Sequence, residues 1–322
     1  MKIILGIEEL HGCEGTIEKI AEEYGCELLK KDQNDLTRED LLDADAVFGN
    51  PELKLLHDLP KLKLLQLHSA GSDQYAKLPI FAGENAPALC NTTGAYGRSI
   101  AEAVIGFFIG LSRQYFLYRD FQNNSEWHYL KAPDTLNGKK ALVIGLGDIG
   151  LNIARLLDAF GCEVYAVKRT KSEVPSYIRE VYTLDEMDSI LPEMDFVSLS
   201  LPNSEETTHV INAGRLKLMK KTAFLANVGR GAAVDNMALA EALNADEIGG
   251  AALDVTEPEP LGPEHPLWKC RNCFITPHSS GMYFQRDPHI KIIGLFKKNL
   301  LHLLNGEPFE NTVDLTTGYK KK

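Results

Sequence analysis

The chain has little of what would mark it as anything but an ordinary globular protein. Two tryptophans and six cysteines are spread over 322 residues, too few and too scattered for a disulfide scaffold. Only Cys270 and Cys273 stand at CxxC spacing, with no second pair in register. No metal site is therefore expected, and the two read as reduced thiols flanking a strand at 274–275. Positive charge is in deficit, with 34 Lys and Arg against 45 Asp and Glu and a net charge of −11. No large positive field is available for phosphate backbones or anionic lipid, so neither nucleic acid nor a membrane surface is an expected partner. Lys320 and the two lysines after it read as a solvated end rather than a targeting tail. Long apolar runs are missing as well. The first, at 3–5, is broken by Gly6, Glu8 and Glu9, and none approaches the ~20 residues of a membrane span, so a cytoplasmic protein is expected. Internal repeats and low-complexity segments are also missing.

What is present is 44% hydrophobic and 25% charged residues, enough to fill the cores of two domains of roughly 100–200 residues each. Short β-rich runs alternate with helical periodicity, the pattern of βαβ units on parallel sheets, and the expected class is α/β. Strands are expected at 2–7, 27–29, 46–48 and 62–68. Between the first two lies a helix with Ile17, Ile20, Ala21 and Tyr24 on one face, ended by Gly25. Thr37 with Asp40 three residues on reads as a capping box. One long apolar helix is expected from 98 through 117, followed by polar sequence from 122 to 137. A second α/β unit then runs through strands at 140–144, 163–167, 196–201, 223–228, 251–255 and 274–276, with a helix at 149–160.

The first strand of that second unit leads into Gly145-Leu-Gly147-Asp148-Ile149-Gly150. A GxGxxG match is weak alone and useful between a strand and a helix. Gly145 allows the tight turn, Gly147 the approach of a pyrophosphate, and Gly150 the packing of helix on strand, with the anion at the helix N-terminus. An acidic residue ~20 positions later usually holds a free ribose 2'-hydroxyl. Here the next strand ends in Lys168-Arg169-Thr170, whose two cations and hydroxyl suit a 2'-phosphate, which favours NADP over NAD. The alternative is a solvated basic turn beside an NAD ribose.

Three further segments follow expected strands: Asn227-Val-Gly-Arg230-Gly231, Asp254-Val-Thr-Glu-Pro-Glu259-Pro and Thr276-Pro-His278. With the glycine fingerprint they resemble the D-isomer-specific 2-hydroxyacid dehydrogenase family, of the short, glyoxylate/hydroxypyruvate reductase-like form. The likeness takes in Ser69-Ala70-Gly71, Asn91-Thr-Thr-Gly94, Ala101-Glu102, Pro202, His265-Pro-Leu-Trp268 and the ending at 311–319, and so nearly the whole chain.

The resemblance implies two doubly wound parallel-sheet domains with a cleft between them. A flavodoxin-like substrate domain would be built from 1–97 and 283–322, and a Rossmann dinucleotide-binding domain from 98–282. The implied reaction passes a hydride between NAD(P)H and C2 of a small 2-oxo or D-2-hydroxy acid. Hydride arrival leaves negative charge on the former carbonyl oxygen, and histidine is the residue type suited to supply a proton near neutrality. Family likeness gives His278 that role, Glu259 the other imidazole nitrogen, and Arg230 the substrate carboxylate and carbonyl. The amides of Ala70 and Gly71 would make a second carboxylate contact from the other domain, so closure of the two domains is expected. Asp254 would contact the nicotinamide amide, and Pro202 is counted with the cofactor contacts.

His68 is read as a strand-end packing residue, His57, His128, His209 and His302 as surface or interface residues, and Trp268 as a core anchor. A homodimer through the cofactor domain is expected, with the apolar helix at 100–111 contributing. Formate dehydrogenase is the nearest rival enzyme, and Glu259 argues against it because formate oxidation needs no proton on an alkoxide. A dinucleotide-sensing binding protein, like the family's corepressors, is the rival of another class. The identity of the 2-oxo acid, the direction of the reaction and the choice between NAD and NADP stay open at this stage.

Overall fold

The computed structural model describes residues 1–7, 13, 15–130, 134–281 and 285–321. Glu8 and Glu9, the expected domain return at 283 and the last lysine of the terminal run lie outside the described residues. The chain divides into two compact units, Met1–Tyr96 with Met282–Lys322, and Gly97–Gly281.

In the first unit five short apolar runs pair in parallel: β1 (Lys2–Gly6), β2 (Glu27–Lys30), β3 (Ala46–Gly49), β4 (Leu64–Gln66) and β5 (Ala88–Cys90), in the order β2-β1-β3-β4-β5. This is the flavodoxin-like order, in which ligands lie beyond the carboxyl ends of the strands. α1 (Thr16–Glu23) buries Ile17, Ile20 and Ala21, while Tyr24, just past its end, is 44% exposed rather than packed. α2 (Arg38–Leu42) opens on the expected capping box of Thr37 and Asp40. β4 is shorter than expected because the chain turns at His68, and β5 was not expected at all.

The second unit opens with α3 (Gly97–Ser112) and α4 (Tyr115–Asn123), where a single helix was expected. Three polar residues, Ser112, Arg113 and Gln114, span the break and apolar ones resume at once, a spacing that a continuous amphipathic helix also allows. Gln114 takes a left-handed φ of 55°, the Ser112 carbonyl accepts from Asp134 N–H at 2.8 Å, and the turn lays Phe116 against Phe274 with ring centroids 4.7 Å apart. No single helix among the described residues is long and apolar enough to cross a membrane. α3 and α4 reach that length only as a pair bent by 65°, and α3 is largely buried.

The sheet of this unit is built from β6 (Lys140–Ile144), β7 (Glu163–Val167), β8 (Ile178–Tyr182), β9 (Phe196–Leu199), β10 (Phe224–Asn227), β11 (Gly250–Leu253) and β12 (Cys273–Ile275). All pairings are parallel, in the order β12-β11-β10-β9-β6-β7-β8. The edge strand β8 was missed, since its Arg179 and Glu180 are exposed and give it no apolar signature. Successive residues of β6 alternate between two buried layers. Leu142 and Ile144 join the core beneath α6 (Met187–Ile190), α7 (Ala213–Leu218) and α8 (Asn236–Asn244). Ala141 and Val143 join the core beneath α3 and α5 (Asp148–Ala159). Burial on both faces explains the continuous apolar runs and defines a doubly wound sheet.

The C-terminal segment returns to the first unit as α9 (Arg286–Asn305) and the small antiparallel pair β13 (Val313–Asp314) and β14 (Tyr319–Lys320). Phe296 stacks on Phe48 at 4.2 Å, and the fully buried Asn299 donates to Gln66 Oε1 at 2.6 Å. Trp268 departs from its expected place in the core: it is 51% exposed, with Nε1 donating to Gly262 O at 2.9 Å. None of the six cysteines is in a disulfide. Burial pushes the Cys273 thiol up to about 12 and the Cys270 thiol up from its ordinary value, which suits inert packing rather than redox work.

Candidate active site

The glycine turn lies at the topological switch point of the seven-stranded sheet, where β6 is flanked by β9 on one side and β7 on the other. Gly145 has φ +95°, and a Cβ there would stand 2.9 Å from Ser200 O. A Cβ at Gly150 would stand 1.8 Å from Gly145 O, so only glycine lets α5 start this close to β6. At Gly147 a Cβ would meet no protein atom within 4 Å, and α5 begins there with no side-chain cap. Open space over a bare helix N-terminus fits a pyrophosphate. Asp148 and Ile149 form the first turn. The Asp148 carboxyl faces Gly97, where a Cβ would stand 2.3 Å from Oδ2, so the first turn offers its backbone rather than this side chain to a ligand.

Lys168, Arg169 and Thr170 follow directly on β7. Lys168 donates to Ser172 Oγ at 2.5 Å, and Arg169 Nε lies 3.6 Å from Glu206 Oε2, both partners being two-thirds exposed. Glu206 belongs to the loop after β9, in which Pro202 O accepts from Thr207 Oγ1 at 2.7 Å. The basic turn and the Pro202 loop thus meet through one exposed ion pair.

Arg230, Glu259 and His278 leave the carboxyl ends of three adjacent strands, β10, β11 and β12. Asn227 shapes the first turn, its Oδ1 accepting from Gly229 N–H at 3.1 Å and its Nδ2 donating to Arg230 O at 2.9 Å. Gly231 presses that turn onto the next loop, since a Cβ there would stand 1.9 Å from Thr256 O. Glu259 Oε1 and His278 Nδ1 are 2.7 Å apart, with side chains 42% and 51% exposed. His278 adopts φ 51°, held by its N–H donating to Asp254 O at 2.8 Å.

The Asp254 carboxylate, 4% exposed, gathers the loop that carries His278. It accepts from Thr276 Oγ1 at 2.6 Å, Ser279 N–H at 2.9 Å and Ser280 N–H at 3.1 Å. Charge-assisted bonds of this kind are among the stronger ones in a protein, and they account for the left-handed residue at 278. Sequence reasoning did not foresee this anchoring, because Thr276, Ser279 and Ser280 carry no motif of their own. His209, expected as a surface or interface residue, has its Nε2 3.2 Å from Glu257 Oε2, two positions before Glu259.

In the first unit, Ala70 and Gly71 lie in the turn after β4. Neither of their amides has an intramolecular acceptor among the described residues. Among the described residues no group of three or more His, Cys, Asp or Glu gathers as a metal-ligand set.

Comparison with known proteins bears on the whole chain. The model of the D-isomer specific 2-hydroxyacid dehydrogenase NAD binding domain matches residues 105–280. A glyoxylate reductase of Thermofilum pendens is 33% identical over 287 residues, covering 84% of this chain and 83% of its own. Among solved structures, a D-isomer specific 2-hydroxyacid dehydrogenase family protein from Aeromonas salmonicida superposes with TM-score 0.84 at 29% identity, over 98% of this chain and 99% of the other. An NADPH-dependent glyoxylate/hydroxypyruvate reductase from Sinorhizobium meliloti, solved with NADP and sulfate, superposes with TM-score 0.80 at 25% identity over 99% of both chains. With a glycine turn built for a dinucleotide, an Arg, Glu and His on adjacent strand ends, and these likenesses along nearly its full length, the chain belongs to the D-isomer specific 2-hydroxyacid dehydrogenase family and is an NAD(P)-dependent oxidoreductase.

Proposed function

We propose that this dehydrogenase works as a reductase of small 2-oxo acids such as glyoxylate or hydroxypyruvate, with NADPH preferred to NADH. The observation that carries the reading is the 2.7 Å pair of Glu259 and His278 at the strand ends beside Arg230. The bound dinucleotide supplies the hydride that arrives at C2. Arg230 binds the substrate carboxylate and polarises the carbonyl through its fork of donors. Because His278 Nδ1 faces a carboxylate, that nitrogen holds a proton and Nε2 is left for the substrate oxygen, to which it delivers the proton. Glu259 fixes the ring and balances the imidazolium charge. Asp254 holds the His278 loop and would contact the amide of a bound nicotinamide, while Ala70 and Gly71 would take the substrate carboxylate through their amides.

The NADPH preference is supported by Lys168, Arg169 and Thr170, which follow β7 in place of the acidic residue that would hold a 2'-hydroxyl. It is supported further by the NADP bound to the Sinorhizobium meliloti reductase. Pro202 and the fingerprint residues Gly145, Gly147, Asp148, Ile149 and Gly150 complete the dinucleotide contacts. A homodimer in the cytoplasm belongs to the same proposal. Six cysteines outside any disulfide suit a reducing compartment, and Trp127 and Tyr129, fully and 83% exposed on the segment after α4, form an aromatic face suited to a second copy.

Initial rates with NADPH and with NADH over a panel of 2-oxo acids, for wild type and His278→Ala, test the reading. Rapid oxidation is expected, faster with NADPH, and reduced by about 100-fold or more in the variant. Tight dinucleotide binding without turnover of any acid would overturn it in favour of a dinucleotide sensor.

A further inference from the structure

A trans peptide holds the C=O of one residue and the N–H of the next in one plane, pointing in opposite directions. In a loop, the amides are therefore aimed by whatever holds the carbonyls. Two neighbours at the end of β5 hold two successive carbonyls of the turn after β4. Thr92 N–H donates to Ser69 O at 3.0 Å, and Asn91 Nδ2 donates to Ala70 O at 3.0 Å. The first bond turns Ala70 N–H away from residues 91–92, and the second turns Gly71 N–H the same way. Two adjacent amides aimed together, with no acceptor for either among the described residues, make a concave donor site for an oxyanion.

Asn91 is fully buried beneath this turn, and its orientation follows from its partners. Oδ1 accepts from Thr93 N–H at 3.1 Å, an obligate donor, so Nδ2 must face Ala70 O, an obligate acceptor. The other Nδ2 proton reaches Ser72 Oγ at 3.2 Å, and Ser72 Oγ donates onward to Gly318 O at 2.8 Å. Behind it, Gln66 Nε2 donates to Asn91 O at 3.1 Å, and Asn299 on α9 holds Gln66. The next peptide is set by Ser69 Oγ, which donates to Gly71 O at 2.7 Å and accepts from Asn50 Nδ2 at 2.9 Å.

We infer that Asn91 is a positioning residue for substrate binding: its side-chain amide aims Gly71 N–H, beside the Ala70 N–H aimed by Thr92, at the carboxylate of the 2-oxo acid. The inference rests on the dehydrogenase reading above. Asn91 touches no substrate and acts only through the peptide plane it holds.

Asn91→Asp keeps the shape and the Thr93 contact but sets an oxygen against Ala70 O. The expected result at about pH 8 is a KM for glyoxylate raised about 10-fold, with kcat within about 3-fold and dinucleotide affinity unchanged. Lowering the pH should shrink the KM defect, because the introduced carboxyl, once protonated, regains a donor for Ala70 O. A KM unaltered at every pH overturns the inference, as does a raised KM accompanied by an equal loss of kcat and of thermal stability with no pH dependence. Where circular dichroism shows that this variant does not fold, Asn91→Ser, whose shorter side chain no longer reaches Ala70 O, takes its place; it should raise KM about 3-fold or more with kcat little changed, and an unchanged KM overturns the inference. Should wild type turn over no 2-oxo acid, the dehydrogenase reading itself falls. Calorimetry with oxalate then decides separately: weaker binding by the variant upholds Asn91, and equal binding overturns it.

Discussion

His68 lies where β4 runs out into the Ala70–Gly71 turn, its N–H donating to Asn50 Oδ1 and its carbonyl accepting from Thr92 and Tyr96. Burial, with a smaller push from His289, holds its imidazole down at about 4 against the ordinary 6.5. Above pH 6.5 the ring is neutral in folded and unfolded chain alike. Between 6.5 and about 4 the unfolded chain takes up a proton that the folded one refuses, so stability falls across that window by up to about 3 kcal/mol. Melting temperature followed from neutral to mildly acidic pH should decline, and His68→Gln should flatten the decline. An equally steep decline in the variant would place the acid sensitivity elsewhere. The same residue illustrates what sequence reveals at this scale. Its place at a strand end was legible, but the push from His289 of α9 comes from more than 200 residues away in the sequence.

At the scale of elements, the strand–turn–helix at 140–159 was readable because each glycine answers a local steric demand. The structure separates two demands that the motif alone runs together. Gly147 adopts φ −82° and leaves open space, whereas Gly150 is pressed on Gly145 O. Gly147→Ala is therefore expected to leave thermal stability within about 0.5 kcal/mol while weakening dinucleotide binding about 10-fold or more, as measured by calorimetry and fluorescence titration. Gly150→Ala must push α5 off β6, at a cost of about 1–3 kcal/mol. Equal stability of the two variants would contradict this division. The α3–α4 break was not readable. A left-handed Gln114 satisfies no residue preference, and it exists because Asp134 caps α3 and Phe116 finds Phe274, contacts made by chain far along the sequence.

At the scale of the whole molecule, α4 buries none of its residues, and the segment after it alternates. His128 and Leu130 turn back toward α4, with the His128 ring 4.7 Å from Phe121 and Leu130 N–H donating to Tyr118 Oη at 3.3 Å. Trp127 and Tyr129 take the outer face. Sedimentation at micromolar concentration is expected to give twice the chain mass, and Trp127→Glu should shift the distribution toward one chain. A wild-type mass of a single chain would refute the dimer.

Residue order alone makes legible the α/β class, the glycine turn, and the order of Arg230, Glu259 and His278 along the chain, because these follow from periodicity and from local steric and chemical needs. It also identified the family, since the motifs fall in a fixed order over nearly the full length. How those residues are held depends on contacts that form only on folding. Asp254 and the 276–280 loop, Asn91 and the 69–71 turn, and Asn299 and Gln66 are pairs separated by about 20 to more than 200 positions. Hydrogen bonds between such positions exist only once parallel strands bring their carboxyl ends to one edge, and no local pattern encodes them.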